Sequence, residues 1–348
     1  MSGTMDFNHF LSSYLPDPSY GGRRLYHDMV EQAVWADRLG YRGVSIPEHH
    51  LINILLVPSP LQLAVKVAAA TRYVEIMTAI AVLPIRDMRV FAGEVVQASA
   101  LCDGRLILGV GRGAFAYELA RLGTPIETSK RKFEESLAVL EALLTREEVS
   151  WDGEYYRFDP ITVMPRPEEP IPLMLAVMTI PGIEECARRG YMVQTTPLQA
   201  SHAVLLDQVN AFKRGRADAE AAGRRSRLSL QRGVYLARDA ADARRKLALA
   251  YTYYERFDNV FTGPGIVDSG AIRPLPRNQS IEDLSRSLII CEAAEMIDRL
   301  AAYAEAGIDE VILSSNFGQT QGETLEMMER FSQDVMPHLS SVRTKSVA

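Results

Sequence analysis

Apolar residues along this chain form short runs that alternate with segments of helical periodicity. Eight runs have the length and composition of buried strands, and they span residues 5–10, 42–47, 74–83, 105–110, 172–178, 191–196, 228–236 and 310–315. Amphipathic segments lie between them, at residues 23–39, 59–71, 87–102, 129–145, 182–189, 201–222, 239–254 and 293–306. This alternation predicts parallel strands joined by helical crossovers.

The number of strand and helix units predicts the fold class. Eight units favour an α/β fold in which the strands close into a (β/α)8 TIM barrel. A doubly wound open sheet is the alternative. No linker rich in Pro, Gly or Ser divides the chain, so residues 1–348 are predicted to form a single domain. A last helix over 321–336 is expected to stop at Pro337.

Two insertions interrupt the regular alternation. Residues 146–171 contain Asp152-Gly153 between strand-like residues, which predicts a small hairpin before the fifth strand. Residues 255–291 contain several Gly and Pro residues and little periodicity. Because this long segment follows the seventh strand, it is predicted to be a mobile lid on the catalytic face of the barrel.

Composition narrows the functional classes. The chain is 47% hydrophobic and 24% charged, and its formal net charge of −6 disfavours a nucleic-acid surface. Cys102, Cys186 and Cys291 lack metal-binding spacing and indicate a reducing compartment without disulfides or zinc. Neither a signal peptide nor an apolar stretch of membrane length is apparent, so a cytoplasmic protein without membrane contact is expected.

The stretch Val44-Ser45-Ile46-Pro47-Glu48-His49-His50 is the strongest candidate for chemistry. An apolar strand ends there in a carboxylate and two adjacent histidines. The carboxyl ends of barrel strands carry the active site, and histidine takes up or releases protons near neutral pH. Glu48, His49 and His50 are therefore candidate catalytic residues. The alternative interpretation is a pair of surface or capping histidines.

The fourth strand ends in a glycine-rich run, Gly109-Val110-Gly111-Arg112-Gly113-Ala114. The spacing matches a dinucleotide-binding pattern, but that fingerprint opens a helix at once, and residues 114–124 are predicted to form an irregular turn. A strand end where the backbone approaches a ligand closely is the better interpretation. Arg112 could pair with a phosphate there, or form a salt bridge to a neighbouring acidic residue.

The fifth strand ends at Met178-Thr179, and a helix follows with Gly182 in its first turn. Open amides at a helix start can hold an anion, which makes Thr179 and Gly182 candidates for binding a phosphate. An ordinary helix cap is the alternative interpretation.

Several motifs in this order resemble one family. They are Glu48-His49-His50 followed by Ser59-Pro60, the run Thr78 to Pro84, Asp103-Gly104-Arg105 leading to Gly111-Arg112-Gly113, the run Pro172 to Gly182, and the closing Phe331 to Pro337. In these motifs the chain is similar to the bacterial luciferase-like, flavin-dependent monooxygenases. The resemblance implies an eight-stranded barrel with a long lid after the seventh strand.

The resemblance also assigns roles to individual residues. It implies that His49 is the catalytic histidine beside the flavin, that Arg112 binds the flavin phosphate, and that Ala79-Ile80 is a cis peptide under the ring. The full set of predicted cofactor-binding residues is Ala79, Ile80, Gly111, Arg112, Gly113, Ala114, Met178, Thr179 and Gly182. No metal site is predicted.

The implied function is that of a two-component monooxygenase. Reduced FMN (FMNH2) would come from a separate flavin reductase, and O2 would react with it to form a flavin 4a-peroxide that oxygenates a small organic substrate such as an aldehyde or ketone. Gly111 stands where luciferase has a reactive cysteine, which disfavours light emission. A deazaflavin-dependent oxidoreductase and a non-catalytic flavin-binding subunit are the alternatives. The Glu-His-His triplet is typical of the flavin-using branch.

The predicted helix at 59–71 also bears on assembly. It is apolar on most of its circumference, with Gln62 and Lys66 among the few polar interruptions. A helix of this kind is normally buried on more than one side. We therefore predict a homodimer through this helix and part of 87–102, and the family resemblance indicates the same.

Overall fold

The computed structural model describes residues 4–198 and 202–340. The strands are β1 (Asp6–Phe10), β2 (Gly43–Ile46), β3 (Glu75–Thr78), β4 (Ala81–Val82), β5 (Leu106–Gly111), β6 (Val149–Asp152), β7 (Arg157–Ile161), β8 (Leu173–Ala176), β9 (Met192–Thr195), β10 (Leu228–Leu236), β11 (Val267–Asp268), β12 (Ala271–Ile272), β13 (Ile289–Cys291) and β14 (Glu310–Ser314). The helices are α1 (Gly22–Leu39), α2 (Pro60–Ala68), α3 (Met88–Leu101), α4 (Ala116–Arg121), α5 (Ile126–Thr145), α6 (Ile180–Arg188), α7 (His202–Ala221), α8 (Ala240–Phe261), α9 (Ile281–Ser287), α10 (Ala293–Ala306), α11 (Gln321–Asp334) and α12 (Met336–Leu339).

The main sheet closes on itself as a parallel barrel. Hydrogen-bonded pairs run in the order β1, β2, β3, β5, β8, β9, β10 and β14. The last strand then pairs with the first, with Asp6 opposite Glu310 and His9 opposite Leu313. The predicted (β/α)8 TIM barrel is confirmed, and this closure excludes the doubly wound open sheet.

Close backbone packing inside the barrel depends on one glycine. A Cβ atom at Gly109 would lie 1.8 Å from the carbonyl oxygen of Thr78 and 2.5 Å from Cε of Met174. The Thr78 hydroxyl also donates to the Gly109 carbonyl at 2.7 Å. Strands β3 and β5 can therefore approach one another only because residue 109 has no side chain.

Charged side chains cluster at the amino-terminal end of the barrel. Arg42 pairs with Asp6 and Glu75, and Arg227 pairs with Glu75 at 3.1 Å. Arg227 also lies 3.8 Å from Glu310, which is fully buried. These pairs fill the end of the barrel opposite the one where active sites are built in this fold.

Three predicted element boundaries are wrong, and each has a local physical reason. The segment predicted as an irregular turn contains the helix α4, whose six residues are too few to show a helical period. The helix α11 ends at Asp334, and Pro337 lies in the first turn of the next helix, α12, a position where its missing N–H costs nothing. The predicted third strand is divided into β3 and β4 around the Ala79–Ile80 peptide bond, which is cis.

The first insertion folds as predicted. Strands β6 and β7 pair in antiparallel fashion, with Trp151 opposite Phe158 and Asp152 opposite Arg157. Glu135 on α5 accepts hydrogen bonds from the indole N–H of Trp151 and from the backbone N–H of Tyr155, at 3.1 and 3.0 Å. These bonds dock the hairpin on α5.

The second insertion contains more regular secondary structure than its composition predicts. Helix α8 continues to Phe261, seven residues beyond the predicted end at 254, because aromatic residues keep contacting the barrel at helical spacing. The remainder contains the β11–β12 hairpin, helix α9 and strand β13, which pairs with β10. Leu284 and Ile289 are fully buried. These two residues fasten part of the insertion to the core, and its role as a mobile lid stays a prediction.

The apolar circumference of α2 has a different explanation from the one predicted. Its buried residues include Leu61, Leu63, Ala64 and Val67, and they pack within the chain, where α1, α3 and β3 are neighbours of the helix. The faces left exposed carry polar residues. The apolar pattern of α2 is thus satisfied inside one subunit and does not by itself require a partner.

The homodimer stays a prediction, and the exposed apolar residues that support it lie on α3. Val90 and Leu101 on this helix are exposed to 61% and 53%. We expect the protein to sediment as a dimer in analytical ultracentrifugation, and the double change Val90→Asp and Leu101→Asp to shift it to a monomer by placing charges in an apolar contact. Monomeric sedimentation of the unaltered protein at all concentrations would contradict the prediction.

None of the helices in the described ranges is long and apolar enough to cross a membrane.

Candidate active site

A cavity of about 480 Å³ lies at the carboxyl ends of the barrel strands. Nine of the predicted site residues line it: Glu48, His49, Ala79, Ile80, Gly111, Arg112, Gly113, Ala114 and Met178. His50, Thr179 and Gly182 are not among the residues that line this cavity. Most of the predicted cofactor site is thus brought together, although its members come from four separate strand ends.

His49 is held by a carboxylate that the sequence analysis did not identify. Its Nδ1 lies 2.9 Å from Oε2 of Glu118, and its ring stacks on Phe115 with 4.3 Å between the ring centroids. The other oxygen of Glu118 accepts a hydrogen bond from the backbone N–H of His50. A carboxylate at Nδ1 favours the tautomer that carries its proton there, which leaves Nε2 as the basic atom of the neutral ring.

Glu48, which lines the cavity, forms a separate network with His50, which does not. The Glu48 side chain is fully buried and accepts hydrogen bonds from Nε2 of His50 at 2.7 Å, from Nη2 of Arg86 at 2.6 Å and from the backbone N–H of Val82 at 2.9 Å. All of these partners belong to the protein. The geometry therefore fits a positioning role for this pair, which joins the end of β2 to β4. His49 is the histidine of the triplet that lines the cavity.

The position of Glu118 explains why it was missed. It lies on α4, in the segment predicted as an irregular turn, and its side chain is mostly buried. One signal was available in the sequence: Glu118 is a single acidic residue within the short, largely apolar stretch from Phe115 to Leu119. That signal does not reveal contact with His49, which is 69 residues away in the chain.

We expect Glu118→Gln to lower turnover by about tenfold to a hundredfold while flavin affinity stays within twofold. The amide keeps the shape of the side chain but removes a charge-assisted hydrogen bond, worth about 1.5–3 kcal/mol. Steady-state turnover and equilibrium binding would be measured on the same preparations. The matched control is Glu127→Gln, at an exposed position in the first turn of α5. Unchanged turnover in Glu118→Gln would remove this residue from the site.

A glycine-lined cradle faces the cavity next to the cis peptide. A Cβ atom at Gly111 would lie 2.4 Å from Cδ1 of Ile80, and Gly113 has a φ of +82°. The absence of side chains at these two positions lets the backbone form the cavity wall. A side chain at residue 111, as the luciferase cysteine would be, requires Ile80 to move.

Arg112 projects from this cradle without a protein partner. Its side chain is exposed, and within residues 4–198 and 202–340 it makes neither a hydrogen bond nor an ion pair. The alternative interpretation of Arg112, a salt bridge to a neighbouring carboxylate, is therefore not observed in that part of the chain. An unpaired guanidinium at the edge of a cavity is available for a phosphate.

The start of α6 lies beside the cavity wall. Thr179 is the N-cap residue, its hydroxyl makes no capping hydrogen bond, and Pro181 occupies the first turn. Met178 lines the cavity and is 44% exposed. The hydroxyl of Thr179 and the first-turn amide of Gly182 are thus near neighbours of the site without being part of its wall.

Aromatic side chains of α8 form one wall of the cavity. The residues are Tyr253, Tyr254, Phe257 and Phe261, and all of them line the cavity together with Phe115. Burial raises the pKa of Tyr254 to about 12 and that of Tyr253 well above its usual value. Both phenols are therefore neutral at physiological pH, and the wall carries no ionised oxygen.

The second insertion is fastened to this wall by an arginine. Nη1 of Arg277 lies 2.8 Å from Oδ2 of Asp258, and its Nη2 donates to Gln279 at 3.0 Å. The guanidinium also lies 5.4 Å from the ring of Tyr254. The Arg277 side chain is only 2% exposed, so its ion pair with Asp258 is shielded from solvent and connects the insertion to α8.

Comparison with known proteins identifies the family. The model of the family described as Luciferase-like monooxygenase matches residues 5–310. The chain belongs to this family. The resemblance found in the sequence motifs is thereby confirmed, and the protein is an enzyme of the oxidoreductase class.

Two relatives of known function match nearly the whole chain. The chain is 27% identical to the oxygenase component of a flavin-dependent trigonelline monooxygenase from Acinetobacter baylyi, over 91% of each chain. It is 26% identical to an F420-dependent glucose-6-phosphate dehydrogenase from Beutenbergia cavernae, over 90% of this chain and 93% of the relative. Luciferase-like relatives thus use two different cofactors.

Solved structures show the same fold at low sequence identity. The monooxygenase RslO1 from Streptomyces bottropensis superimposes with a TM-score of 0.82 and 22% identity, over 96% of this chain and 99% of that one. The oxygenating constituent of 3,6-diketocamphane monooxygenase from Pseudomonas putida, a complex with FMN, gives a TM-score of 0.76 and 18% identity over 97% and 100%.

Proposed function

We propose that the protein is the oxygenase component of a two-component monooxygenase, which uses O2 and reduced FMN supplied by a separate flavin reductase. Its substrate would be a small organic molecule. The observation that carries the proposal is the His49–Glu118 pair, with Nε2 of His49 left available at a cavity that also contains a glycine cradle. The name of the trigonelline-oxidising relative supports the same reaction class.

The residues present fit FMN. A backbone wall at Gly111 and Gly113 offers a close approach for a flat ring, and the Ala79–Ile80 peptide lies next to it. Arg112 supplies an unpaired cation for the phosphate. When bound, the reduced flavin would supply the reaction with oxygen, which no side chain of the protein can perform.

The remaining tasks belong to the protein. Arg112 would bind the phosphate and so orient the cofactor in the cavity. Phe115 and the aromatic wall of α8 would exclude water, which strengthens every electrostatic interaction inside. His49 would accept or return a proton at Nε2, while Glu118 holds the ring in position through Nδ1.

The second candidate function is a deazaflavin-dependent oxidoreductase that transfers hydride without oxygen. The F420-dependent relative, which matches 90% of the chain, favours it. Equilibrium titration under anaerobic conditions with reduced FMN and with reduced F420 would distinguish the cofactors. Admission of air then tests the chemistry.

Our proposal predicts preference for reduced FMN, followed by incorporation of labelled oxygen into a carbonyl or other organic substrate from a screen. Preference for F420, or reduced FMN binding without any oxygenated product in that screen, would contradict it. Binding of reduced FMN without any oxygenated product is the result expected of a non-catalytic flavin-binding subunit.

Two further parts of the proposal concern the chain as a whole. We treat residues 1–348 as one domain, because the barrel draws strands from β1 near its beginning and β14 near its end. We place the protein in the cytoplasm, because Cys102, Cys186 and Cys291 are free thiols, as is usual in a reducing compartment.

The insertion should act as a cover that keeps water from the cavity. Arg277→Ala removes its buried pairing with Asp258 and should raise hydrogen peroxide release per oxygen consumed by roughly tenfold, since a charged hydrogen bond contributes about 1.5 kcal/mol. Peroxide and product would be measured together. Arg273→Ala is the matched control, because that arginine pairs with Asp268 at an exposed hairpin of the same insertion. Equal coupling in both variants would mean that the insertion does not cover the site.

A further inference from the structure

We propose that Arg232 binds the carboxylate of an aromatic or heteroaromatic acid, which makes such acids the substrate class of this enzyme. The inference rests on the proposed function, in which the FMN phosphate binds Arg112 and leaves Arg232 without an anionic partner. It names a substrate-binding residue and a substrate chemistry that the family assignment does not supply.

Arg232 enters the cavity from the wall formed by β10. Its Nη1 donates to the carbonyl oxygen of Leu198 at 3.1 Å and its Nη2 to that of Ser287 at 2.5 Å. Its Nε is buried and has no hydrogen-bond partner. Each Nη nitrogen carries a second N–H, so the guanidinium retains donors beyond the two that the backbone carbonyls occupy.

No carboxylate neutralises this guanidinium in the described structure. Among residues 4–198 and 202–340, Arg232 makes no ion pair. The three residues between these ranges are Gln199, Ala200 and Ser201, and none of them is acidic. A partly desolvated cation held only by neutral carbonyls is costly unless an anion joins it.

The other charges of the cavity are matched by neighbours. Glu48 pairs with Arg86 at 2.6 Å, Asp258 pairs with Arg277 at 2.8 Å, and Glu118 lies beside His49. Two cations of the cavity wall remain, Arg112 and Arg232. If the flavin phosphate takes Arg112, an anionic group on the second ligand would neutralise Arg232.

The surroundings of Arg232 indicate the shape of that ligand. Tyr254 lies near it, and the charge of Arg232 acts to lower the pKa of that phenol against the larger effect of burial. Tyr253, Phe257 and Phe261 continue the same aromatic wall. Flat aromatic faces beside a guanidinium fit a planar ring that carries a carboxylate.

Polar groups lie on β9, the strand that pairs with β10. Gln194 donates to the side chain of Gln231 at 2.8 Å, while its own Oε1 is buried without a partner. Thr195 Oγ1 is likewise buried and unpartnered. Both residues line the cavity. These two atoms could meet a hydroxyl or N–H on the ring of an acid held by Arg232.

The test compares carboxylates with amides of the same shape. Benzoate, nicotinate, benzamide and nicotinamide would be titrated calorimetrically into the protein, with and without oxidised FMN. We expect each carboxylate to bind at least about tenfold more tightly than its amide, because a charge-assisted bidentate contact is lost in the amide. Arg232→Gln should abolish that preference, Arg232→Lys should keep part of it, and FMN affinity should stay within twofold in both.

Arg121→Gln is the matched control, since Arg121 lies on α4 outside this cavity, with its side chain over the ring of Tyr117. It should keep the carboxylate preference. Equal binding of carboxylates and amides by the unaltered protein, or no binding of either, would overturn the proposal without any variant.

A loss of FMN affinity in Arg232→Gln with the preference intact would assign Arg232 to the cofactor and also overturn it. An unchanged preference in Arg232→Gln would also overturn the proposal. Arg232 would then only connect the segments of Leu198 and Ser287 through its hydrogen bonds to their carbonyl oxygens. Failure to bind FMN would instead contradict the proposed function, because the probes can be titrated into the protein without cofactor.

Discussion

Replacing His49 with Ala is expected to lower turnover by roughly two to four orders of magnitude, which is the usual loss when a general acid or base is removed. Nε2 of His49 is the unengaged nitrogen of the ring, whereas Nδ1 is held by Glu118. The change leaves the glycine cradle and Arg112 untouched, so the affinity for reduced FMN should change little. Turnover and cofactor binding would be measured side by side.

The design separates a chemical role from a structural one. His49 stacks on Phe115, so its removal could also loosen the wall, and His49→Gln keeps most of that volume without an acid–base group. His27→Ala, at an exposed position of α1, is the matched control. If His49→Gln loses less than about tenfold in turnover, another group handles the proton.

The second large effect is expected at Arg112. Arg112→Ala should weaken FMN by about tenfold to a hundredfold, because a charge-assisted hydrogen bond contributes about 1.5–3 kcal/mol. The guanidinium has no partner in the described structure, so its loss leaves no protein group unpaired and the fold should be unaffected. Binding would be followed by the fluorescence of the flavin.

Riboflavin provides the internal comparison, because it lacks the phosphate. Its affinity for Arg112→Ala should stay within twofold of that for the unaltered protein. Arg121→Ala, which changes an arginine of α4 outside the cavity, should leave both ligands unaffected. Equal losses for FMN and riboflavin would show that Arg112 does not contact the phosphate.

Much of the barrel could be predicted from local pattern. Strand β10 (Leu228–Leu236) and helix α10 (Ala293–Ala306) have the predicted boundaries, and the other barrel strands deviate by a residue or a few. Buried strands between amphipathic helices can be recognised in a sequence because each type of element places its apolar residues at its own characteristic spacing. Helix α4 is too short for that signal. The end of α8 is predicted too early because Gly263 and Pro264 favour a loop in the segment after residue 254.

The candidate site was predictable only where it lies at strand ends. His49, Arg112 and Met178 each lie within three residues of the end of a strand, and a parallel barrel brings the carboxyl ends of its strands to one face. Composition and spacing near a strand end therefore suffice to find such residues. His50 shows the limit of this argument, since its side chain contacts Glu48 and does not line the cavity.

The amino-acid sequence by itself determined the barrel, the family and the strand-end residues that face its cavity, because these depend on local period and on motifs within a few residues. Only the tertiary structure decided that Glu118 holds His49, that α8 supplies an aromatic wall, and that Arg232 forms no ion pair within the described residues. Those three facts depend on contacts between distant segments. The direction of a side chain, and the absence of a neutralising partner, follow from how the elements pack and leave no mark in the local pattern.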